Sequence, residues 1–415
     1  MRLLPRTGPF QQRDFLKLWG AQASSAIGAR ITRTALPVLA VLSVDASPLG
    51  LGVLAALSLG PGVVVSLATA GTIDRSRKRP ILITADLVRA AAVFSLPLAA
   101  WVGVLTLAQL YAVAAVVGVG TAVFQIADNA YLPTLLDKDQ LVAGNSTIEA
   151  TEAVAEIAGP SLAGVLIQTL TAPVAVLIDA LGYVASAVLL GRIRKPEAPA
   201  AVEESPSVWR DIALGFSASW GHRQVRPLLL AFAASSFFSG TFAALYMKFL
   251  LEDLDLGVST VGIVIAMGGV GSLIGALGSA PLARRLGLGP AMVILMLLAE
   301  AAGLLIPAAS GPLWLVLAFL FAHQLIGDGL AVAFMVQAVS LRQRVLPLEV
   351  LARSNAAFQA VTGSLLPLGA LAAGGLADVI GVRPAMWAGM GGALLTPLFL
   401  LPLWRLRHPG PETST

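Results

Sequence analysis

Long apolar runs alternate with short polar segments along almost the whole chain. A helix needs about 20 mostly apolar residues to cross a hydrocarbon layer about 30 Å thick. The sequence contains twelve such runs, and they are continuous and rich in Ala, Leu and Gly. Short alternating strands, which are typical of membrane β-barrels, are not the pattern here. We therefore predict an all-α membrane protein with spans at residues 15–43, 48–70, 81–103, 106–128, 146–168, 172–191, 226–250, 258–280, 288–309, 312–338, 354–378 and 384–404.

The composition supports a membrane protein and excludes other classes. Hydrophobic residues make up 57% of the 415 residues and charged residues only 12%, whereas soluble domains carry roughly 25% charged residues. Both a soluble globule and a disordered chain need more polar residues than this. The absence of cysteine excludes disulfides and thiolate metal sites, and we expect no metal and no cofactor. A net charge of +4 is too small to indicate nucleic-acid binding.

The distribution of basic residues predicts the topology. If the N-terminus is cytoplasmic, 22 of the 27 Lys and Arg residues lie on the cytoplasmic side, and only Lys248 and Arg383 lie on the other side. This excess follows the positive-inside rule and places both termini in the cytoplasm. The first apolar run is too long for a cleaved signal peptide, so we interpret it as a retained helix. Short loops favour a bacterial inner membrane.

A polar stretch at residues 192–225 divides six spans from six. We predict an N-terminal six-helix bundle (1–191), a cytoplasmic linker (192–225) and a C-terminal six-helix bundle (226–415). Within the linker, WRDIALGFSASW has the pattern of an amphipathic helix at the membrane surface, anchored by Trp209 and Trp220.

The two halves resemble each other in sequence. The segment that begins at Asn145 aligns with the segment that begins at Asn355, at an offset near 210. Two bundles in the same orientation imply a pseudo-twofold axis along the membrane normal and a central cavity. Chance similarity between Ala/Gly-rich helices is the alternative.

The loop AGTIDRSRKRP between the second and third spans resembles the signature loop of the major facilitator superfamily. In that family the loop latches a cytoplasmic gate, so the resemblance implies gate roles for Asp74, Arg75, Arg77 and Lys78, with Asp128 as the acidic partner at the end of span 4. Lys78 stands where the family usually has Arg, and Arg77 replaces the usual second Gly. The alternative is an ordinary basic cytoplasmic loop.

Span 5 carries GPSLAGVLI, which is similar to the motif of the superfamily's antiporters. In it Gly159, Pro160 and Gly164 let helices approach closely and bend, so we expect a packing role. Together with FLKLWGAQASSAIGARITRTALP and SLRQRVLPLEVLARSNAAF, this pattern looks most like the drug-efflux branch that includes macrolide and siderophore exporters.

Ionisable residues inside the spans are informative, because a charge at mid-bilayer costs at least about 2.5 kcal/mol and normally faces water or a partner. Arg30 and Arg33 share one face of span 1, and Glu152 and Glu156 share one face of span 5. In the superfamily spans 1, 4, 7 and 10 line the cavity. The resemblance therefore makes the following residues cavity candidates: Arg30, Arg33, Gln125, Gln324, Phe237, Phe238 and Tyr246.

We favour Asp328 in span 10 as the proton carrier. Desolvation favours the neutral form of its carboxyl group, so exposure to alternate sides can load and release a proton. His323, Glu152 and Glu156 are further proton-coupling candidates. Two alternatives stay open, namely a fixed structural ion pair between spans 1 and 5 and a satisfied core role for His323.

The chain has neither the GxxxxGK[ST] phosphate-binding motif nor the HExxH zinc-protease motif, so we expect a protein that is not an enzyme. Our interpretation is a monomeric, proton-coupled exporter of amphipathic organic molecules that works by alternating access. Its partners are the lipid bilayer, a small-molecule substrate and protons. The alternatives are a transporter of another cargo, such as a lysophospholipid or a nutrient, a uniporter, and a non-transporting receptor or scaffold.

Overall fold

The computed structural model describes residues 8–74, 76–197 and 208–406. In these ranges twelve helices are long and apolar enough to cross a membrane, which confirms the predicted all-α membrane fold. Spans 1 to 12 comprise Arg13–Leu42, Pro48–Ser66, Lys78–Val102, Leu107–Leu135, Leu141–Leu170, Ala172–Gly191, Val225–Asp253, Val258–Leu286, Leu288–Ala308, Leu313–Val345, Glu349–Ile380 and Val382–Leu403. The helix of span 2 continues to Asp74.

Several helices are longer than the apolar runs that predict them. Spans 4, 8 and 10 extend at their C-terminal ends to Leu135, Leu286 and Val345. An apolar run marks only the part of a helix that suits hydrocarbon, whereas the backbone N–H to C=O bonds of the helix continue into the polar segment beyond it.

Spans 7, 10 and 12 contain turns that are not regular α-helix. Span 10 contains a π-helical turn at His323–Gly327, and span 7 ends in a second π turn at Phe249–Asp253. Span 12 ends in a 3₁₀ segment at Thr396–Leu403. Because π turns inside α-helices often occur at functional sites, the residues around the turn in span 10 are candidates for a functional role.

The first compact unit, unit 1, consists of Met1–Asp45, Leu57–Val208 and Gly257–Gly262. In this unit span 1 packs against spans 5 and 6, and span 3 packs against spans 4 and 6. An apolar core with Phe15 and Tyr131 at its centre fills the space among these helices.

The second compact unit, unit 2, consists of Ala46–Ala56, Trp209–Leu256 and Ile263–Thr415. Span 7 packs here against spans 11 and 12, and span 9 packs against spans 10 and 12. The beginning of span 2 thus belongs to unit 2, and the beginning of span 8 belongs to unit 1. The sequence-based boundaries at residues 191 and 226 stay a prediction.

The linker contains a helix at Val208–Gly221 that lies against the N-terminal part of span 11. The hydroxyls of Ser219 and Ser354 are 2.8 Å apart and hydrogen-bonded, and Arg353 Nε donates to Asp211 at 2.8 Å. Gly215 lies so close to span 11 that a Cβ atom there would be 2.0 Å from the carbonyl oxygen of Arg353.

The other face of this linker helix is apolar and exposed. Trp220 is 45% exposed and stacks on Phe216 with 5.7 Å between ring centroids. An exposed aromatic face on an amphipathic helix suits the membrane interface. The side chain of Trp209, the other predicted anchor, lies outside the described residues.

We predict that Gly215→Leu separates the linker helix from span 11, because the new side chain overlaps the Arg353 backbone. Overpacking of this kind costs about 1–3 kcal/mol. Thermal unfolding in detergent should show the loss, and trypsin should cleave faster at Arg210 and Arg223. Gly221→Ala is the matched control, since a Cβ atom at residue 221 meets nothing within 4 Å. Equal stability of the two variants would contradict this packing.

Candidate functional site

The membrane-spanning charges of spans 1 and 5 form one ion cluster in unit 1. The guanidinium of Arg30 contacts two carboxylates, with Nη2 2.9 Å from Glu152 Oε2 and Nε 2.8 Å from Glu156 Oε2. Arg33 Nη2 lies 2.5 Å from Glu156 Oε1. The two Glu side chains are 42% and 44% exposed, and that of Arg30 is 23% exposed. The cluster is therefore both a contact between helices and an accessible set of two positive and two negative groups.

Glycines of span 5 lie where neighbouring helices come closest. A Cβ atom at residue 159 would lie 2.4 Å from Cβ of Arg30 on span 1. On another side of span 5, a Cβ atom at residue 164 would lie 2.8 Å from the carbonyl oxygen of Val258, at the beginning of span 8. The carbonyl oxygen of Pro160 lies against Gly262 of the same segment. The GPSLAGVLI motif thus lies at two helix contacts, and one of these holds the ion cluster in place.

In unit 2, Asp328 and Gln324 lie together against the backbone of span 8. A Cβ atom at residue 268 would lie 2.3 Å from Asp328 Oδ2 and 3.1 Å from Gln324 Nε2. The Gln324 amide donates to the carbonyls of Val264 and Ile265 at 3.2 and 3.3 Å. Gln324 is buried and Asp328 is half-buried. Gly268 leaves room for the carboxyl group at the point where the π turn ends.

His323 faces a different neighbour. Its Nδ1 is 3.1 Å from the carbonyl oxygen of Ala302 in span 9, and the side chain is buried. Phe242 of span 7 lies between this ring and Tyr246, with centroid distances of 6.2 Å to His323 and 4.1 Å to Tyr246. The Tyr246 hydroxyl is buried and has no hydrogen-bond partner in the described ranges. It lies within electrostatic range of Asp328.

Three other cavity candidates lie apart from these groups. Gln125 is exposed on span 4. The carbonyl oxygen of Phe237 packs against Gly369 of span 11, and the ring of Phe238 packs against Gly392 of span 12. These contacts pack helices within unit 2, and the cavity roles of Gln125, Phe237 and Phe238 stay predictions.

The residues of the predicted gate are only partly described. Arg75 lies outside the described residues, as does the side chain of Asp74, and Arg77 is exposed. Lys78 Nζ donates to the Ser76 carbonyl at 2.8 Å. Asp128 accepts two hydrogen bonds of 2.6 Å from Gln22 Nε2 of span 1. The latch implied by the family resemblance stays a prediction.

Sequence reasoning missed a buried ion pair in span 3, formed by Asp86 and Arg89. Opposite charges at i and i+3 inside an apolar run would have been the signal for it. It also missed Glu197, which accepts hydrogen bonds from the backbone N–H groups of Lys78 and Arg79 and so caps span 3. Among the described residues there is no group of three or more His, Cys, Asp and Glu side chains placed to hold a metal ion.

We predict that Arg30→Ala destabilises the protein more than Arg33→Ala. Arg30 holds two carboxylates and is mostly shielded, so its loss should lower the free energy of unfolding by about 1–3 kcal/mol. Arg33 is 55% exposed and meets one carboxylate, so its loss should lower it by at most about 1 kcal/mol. Thermal unfolding with a double-mutant cycle through Glu152→Gln checks this. A zero coupling energy for Arg30 and Glu152 would contradict the contact.

Comparison with known proteins identifies the family. A sequence model of the Major Facilitator Superfamily matches residues 18–367. Macrolide efflux protein A of Streptococcus pyogenes is 24% identical over 389 residues, which are 92% of this chain and 93% of that protein.

Solved structures show the same fold. A single-site mutant of the nucleoside transporter NupG superposes with a TM-score of 0.80 at 12% identity, over 94% of this chain and 99% of that chain. A bacterial homologue of the iron transporter ferroportin in its inward-facing state gives a TM-score of 0.73 at 17% identity, over 96% of this chain and 100% of that chain. Since the matched family model covers most of the residues, the chain belongs to the major facilitator superfamily and is a membrane-embedded transporter rather than an enzyme.

Proposed function

We propose that this transporter exports amphipathic organic molecules in exchange for protons, by alternating access. The observation that carries the proposal is the accessible ion cluster of Arg30, Arg33, Glu152 and Glu156 inside two membrane spans. Charges at membrane depth are expensive and normally serve a function. The efflux activity named for the macrolide relative, which aligns over nearly the whole chain, supports export of a drug-like cargo.

The ion cluster suits a cargo that carries its own charge. An amine on the cargo would compete with Arg30 or Arg33 for the carboxylates, and an acidic cargo would compete with Glu152 or Glu156 for the guanidinium groups. Each exchange forms one new ion pair and frees one group of the cluster, and the partial exposure of these side chains lets water solvate the freed charge. In unit 2 the exposed ring of Phe242, which stacks on the buried ring of Tyr246, offers an apolar surface of the kind that an amphipathic molecule needs.

Asp328 remains our first candidate for the proton carrier. It is half-buried, lies at the end of a π turn, and contacts the backbone of span 8 at Gly268. A small movement of span 8 would change its access to water, which is what proton loading and release require. One charge that moves through 100 mV supplies about 2.3 kcal/mol, enough to concentrate a cargo many-fold.

Within the same family, a different cargo is the second candidate function. Solved relatives with the same fold include a nucleoside transporter and a homologue of an iron transporter, so the fold by itself does not select the cargo. The other candidates are transport of a lysophospholipid or a nutrient and facilitated transport without protons. The vesicle experiment described below tests each of them. We further propose a monomer in a bacterial inner membrane, with both termini cytoplasmic.

We predict that purified protein in lipid vesicles accumulates erythromycin when a pH gradient is imposed, and that Asp328→Asn abolishes this accumulation. Erythromycin exchange without a gradient should persist in the variant, because a neutral amide keeps the shape of the site but cannot carry a proton. Glu300→Gln is the matched control. Its carboxyl group accepts hydrogen bonds from Ser235 of span 7 and Thr396 of span 12, at 2.8 and 3.5 Å, and not from the residues of the proposed site.

Full gradient-driven uptake by Asp328→Asn would remove this residue from the mechanism. If the unmodified protein moves nothing among macrolides, dyes, siderophores and lysolipids, either with or without a gradient, the proposed export function is wrong and a receptor role gains support.

A further inference from the structure

A second group of charges lies in unit 1, away from the ion cluster and buried among spans 1, 3 and 6. Asp86 and Asp179 are 0% exposed and Arg89 is 2% exposed. Buried charges are normally paired one to one, because an unpaired ion in an apolar interior costs several kcal/mol. This group has two carboxyl groups and one guanidinium, and a third carboxyl group, that of Asp128 on span 4, lies within electrostatic range of Asp86 and accepts hydrogen bonds from Gln22.

The guanidinium of Arg89 is directed to Asp86. The two residues form an ion pair within span 3, and Arg89 Nη1 is also 3.3 Å from the hydroxyl of Thr121 on span 4. The guanidinium carbon lies 4.6 Å from the ring centroid of Phe124 and 4.3 Å from that of Tyr183. Asp86 therefore has the direct counter-charge, and aromatic faces occupy much of the remaining surface of Arg89.

Asp179 has no such partner. Both of its carboxyl oxygens are buried, and the described residues place no cationic group in hydrogen-bond contact with either of them; the hydroxyl of Thr32 on span 1 is the polar side chain that faces them. Gly28 of span 1 packs directly against the carboxyl group of Asp179, since a Cβ atom at residue 28 would lie 2.4 Å from Asp179 Oδ1. Its charged and titratable neighbours are Asp86 and Arg89 on span 3 and Tyr183 on its own span. On span 1 the facing residues are Gly28 and Thr32, and neither of them is titratable.

If Asp86 and Asp179 were both ionised, their two negative charges would exceed the single positive charge of Arg89 by one. A bound proton removes it, and Asp179 is the group without a direct counter-ion. We propose that Asp179 is a proton-binding site, held beside the Asp86–Arg89 pair, and that it carries a coupling proton of this transporter. The coupling role rests on the proposed proton-driven export, whereas the bound proton itself does not.

Span 1 connects this site to the ion cluster. Gly28 and Thr32, one helical turn apart, face span 6, while Arg30 and Arg33 face span 5. When a cargo displaces Arg30 from its carboxylates, span 1 is free to shift relative to spans 5 and 6. Such a shift would open the Gly28 contact and admit water to Asp179, which would let the proton leave. One helix would then link cargo binding to proton release.

The bound proton can be tested by infrared difference spectroscopy on the detergent-solubilised full chain at neutral pH. A protonated carboxyl group gives a C=O band that a carboxylate lacks. Asp179→Asn should lose the band of one carboxylic acid and should fold normally, since an amide resembles a neutral carboxyl. Asp86→Asn should also lose one, because Arg89 is then free to neutralise an ionised Asp179.

Arg89→Gln should gain one such band, because both carboxyl groups must then be neutral. An unchanged spectrum in both Asp variants would overturn the proposal, and so would a loss of bands in Arg89→Gln. The proposal would also be overturned if NaCl but not KCl stabilised the unmodified protein and its spectrum contained no carboxylic acid band. That result would indicate that the site binds a sodium ion and not a proton.

The coupling role is tested separately in vesicles that contain erythromycin. Asp179→Asn should exchange the macrolide normally but should move fewer protons per macrolide than the unmodified protein. An unchanged ratio of protons to macrolide would overturn the coupling role and leave proton-driven export intact. If the unmodified protein itself moves no protons, the proposed function fails, and with it the coupling role, while the infrared result still decides whether Asp179 binds a proton.

Discussion

Hydrocarbon offers a buried charge no water, and this constraint explains most of the polar architecture of the protein. With so few charged residues, each ionisable group inside a span needs either a partner or a proton. Arg30 and Arg33 meet two carboxylates across spans 1 and 5. Arg89 meets Asp86 within its own helix. The pairs between spans 1 and 5 hold these neighbouring helices in a defined register, whereas apolar helix faces could slide in lipid.

Small residues make these polar contacts possible. Gly159 lets span 5 approach Arg30, Gly28 lets span 1 cover Asp179, and Gly268 gives Asp328 its place beside span 8. In each case the backbone of one helix lies against a functional group of the next, so a shift of the helix alters that group's surroundings at once. Rigid helices with such contacts are well suited to transmit small movements, which is the mechanical requirement of coupled transport.

The fold of this protein does not by itself determine its cargo or its coupling to protons. Solved structures with the same fold include a nucleoside transporter and a bacterial homologue of an iron transporter. At membrane depth this chain has three Arg–Glu contacts between spans 1 and 5. It also has the buried carboxyl group of Asp179, which has no direct ion pair among the described residues. Specificity and coupling therefore depend on a few side chains that a common framework presents.

The sequence by itself determined the class of the protein and the number of spans, because length and hydrophobicity are local properties that the bilayer selects directly. It indicated the family through the resemblance of the loop AGTIDRSRKRP and of GPSLAGVLI in span 5. It also indicated that Arg30 and Arg33 have carboxylate partners on span 5, since helical spacing places each set on one face. Only the tertiary structure decided that Arg30 bridges Glu152 and Glu156, that Gln324 and Asp328 share a contact at Gly268, and that Asp86, Arg89 and Asp179 meet. These residues lie on different helices or beside a π turn. The spacing of hydrophobic residues predicts where helices form, but it predicts neither how the helices pack against each other nor where a π turn interrupts one of them.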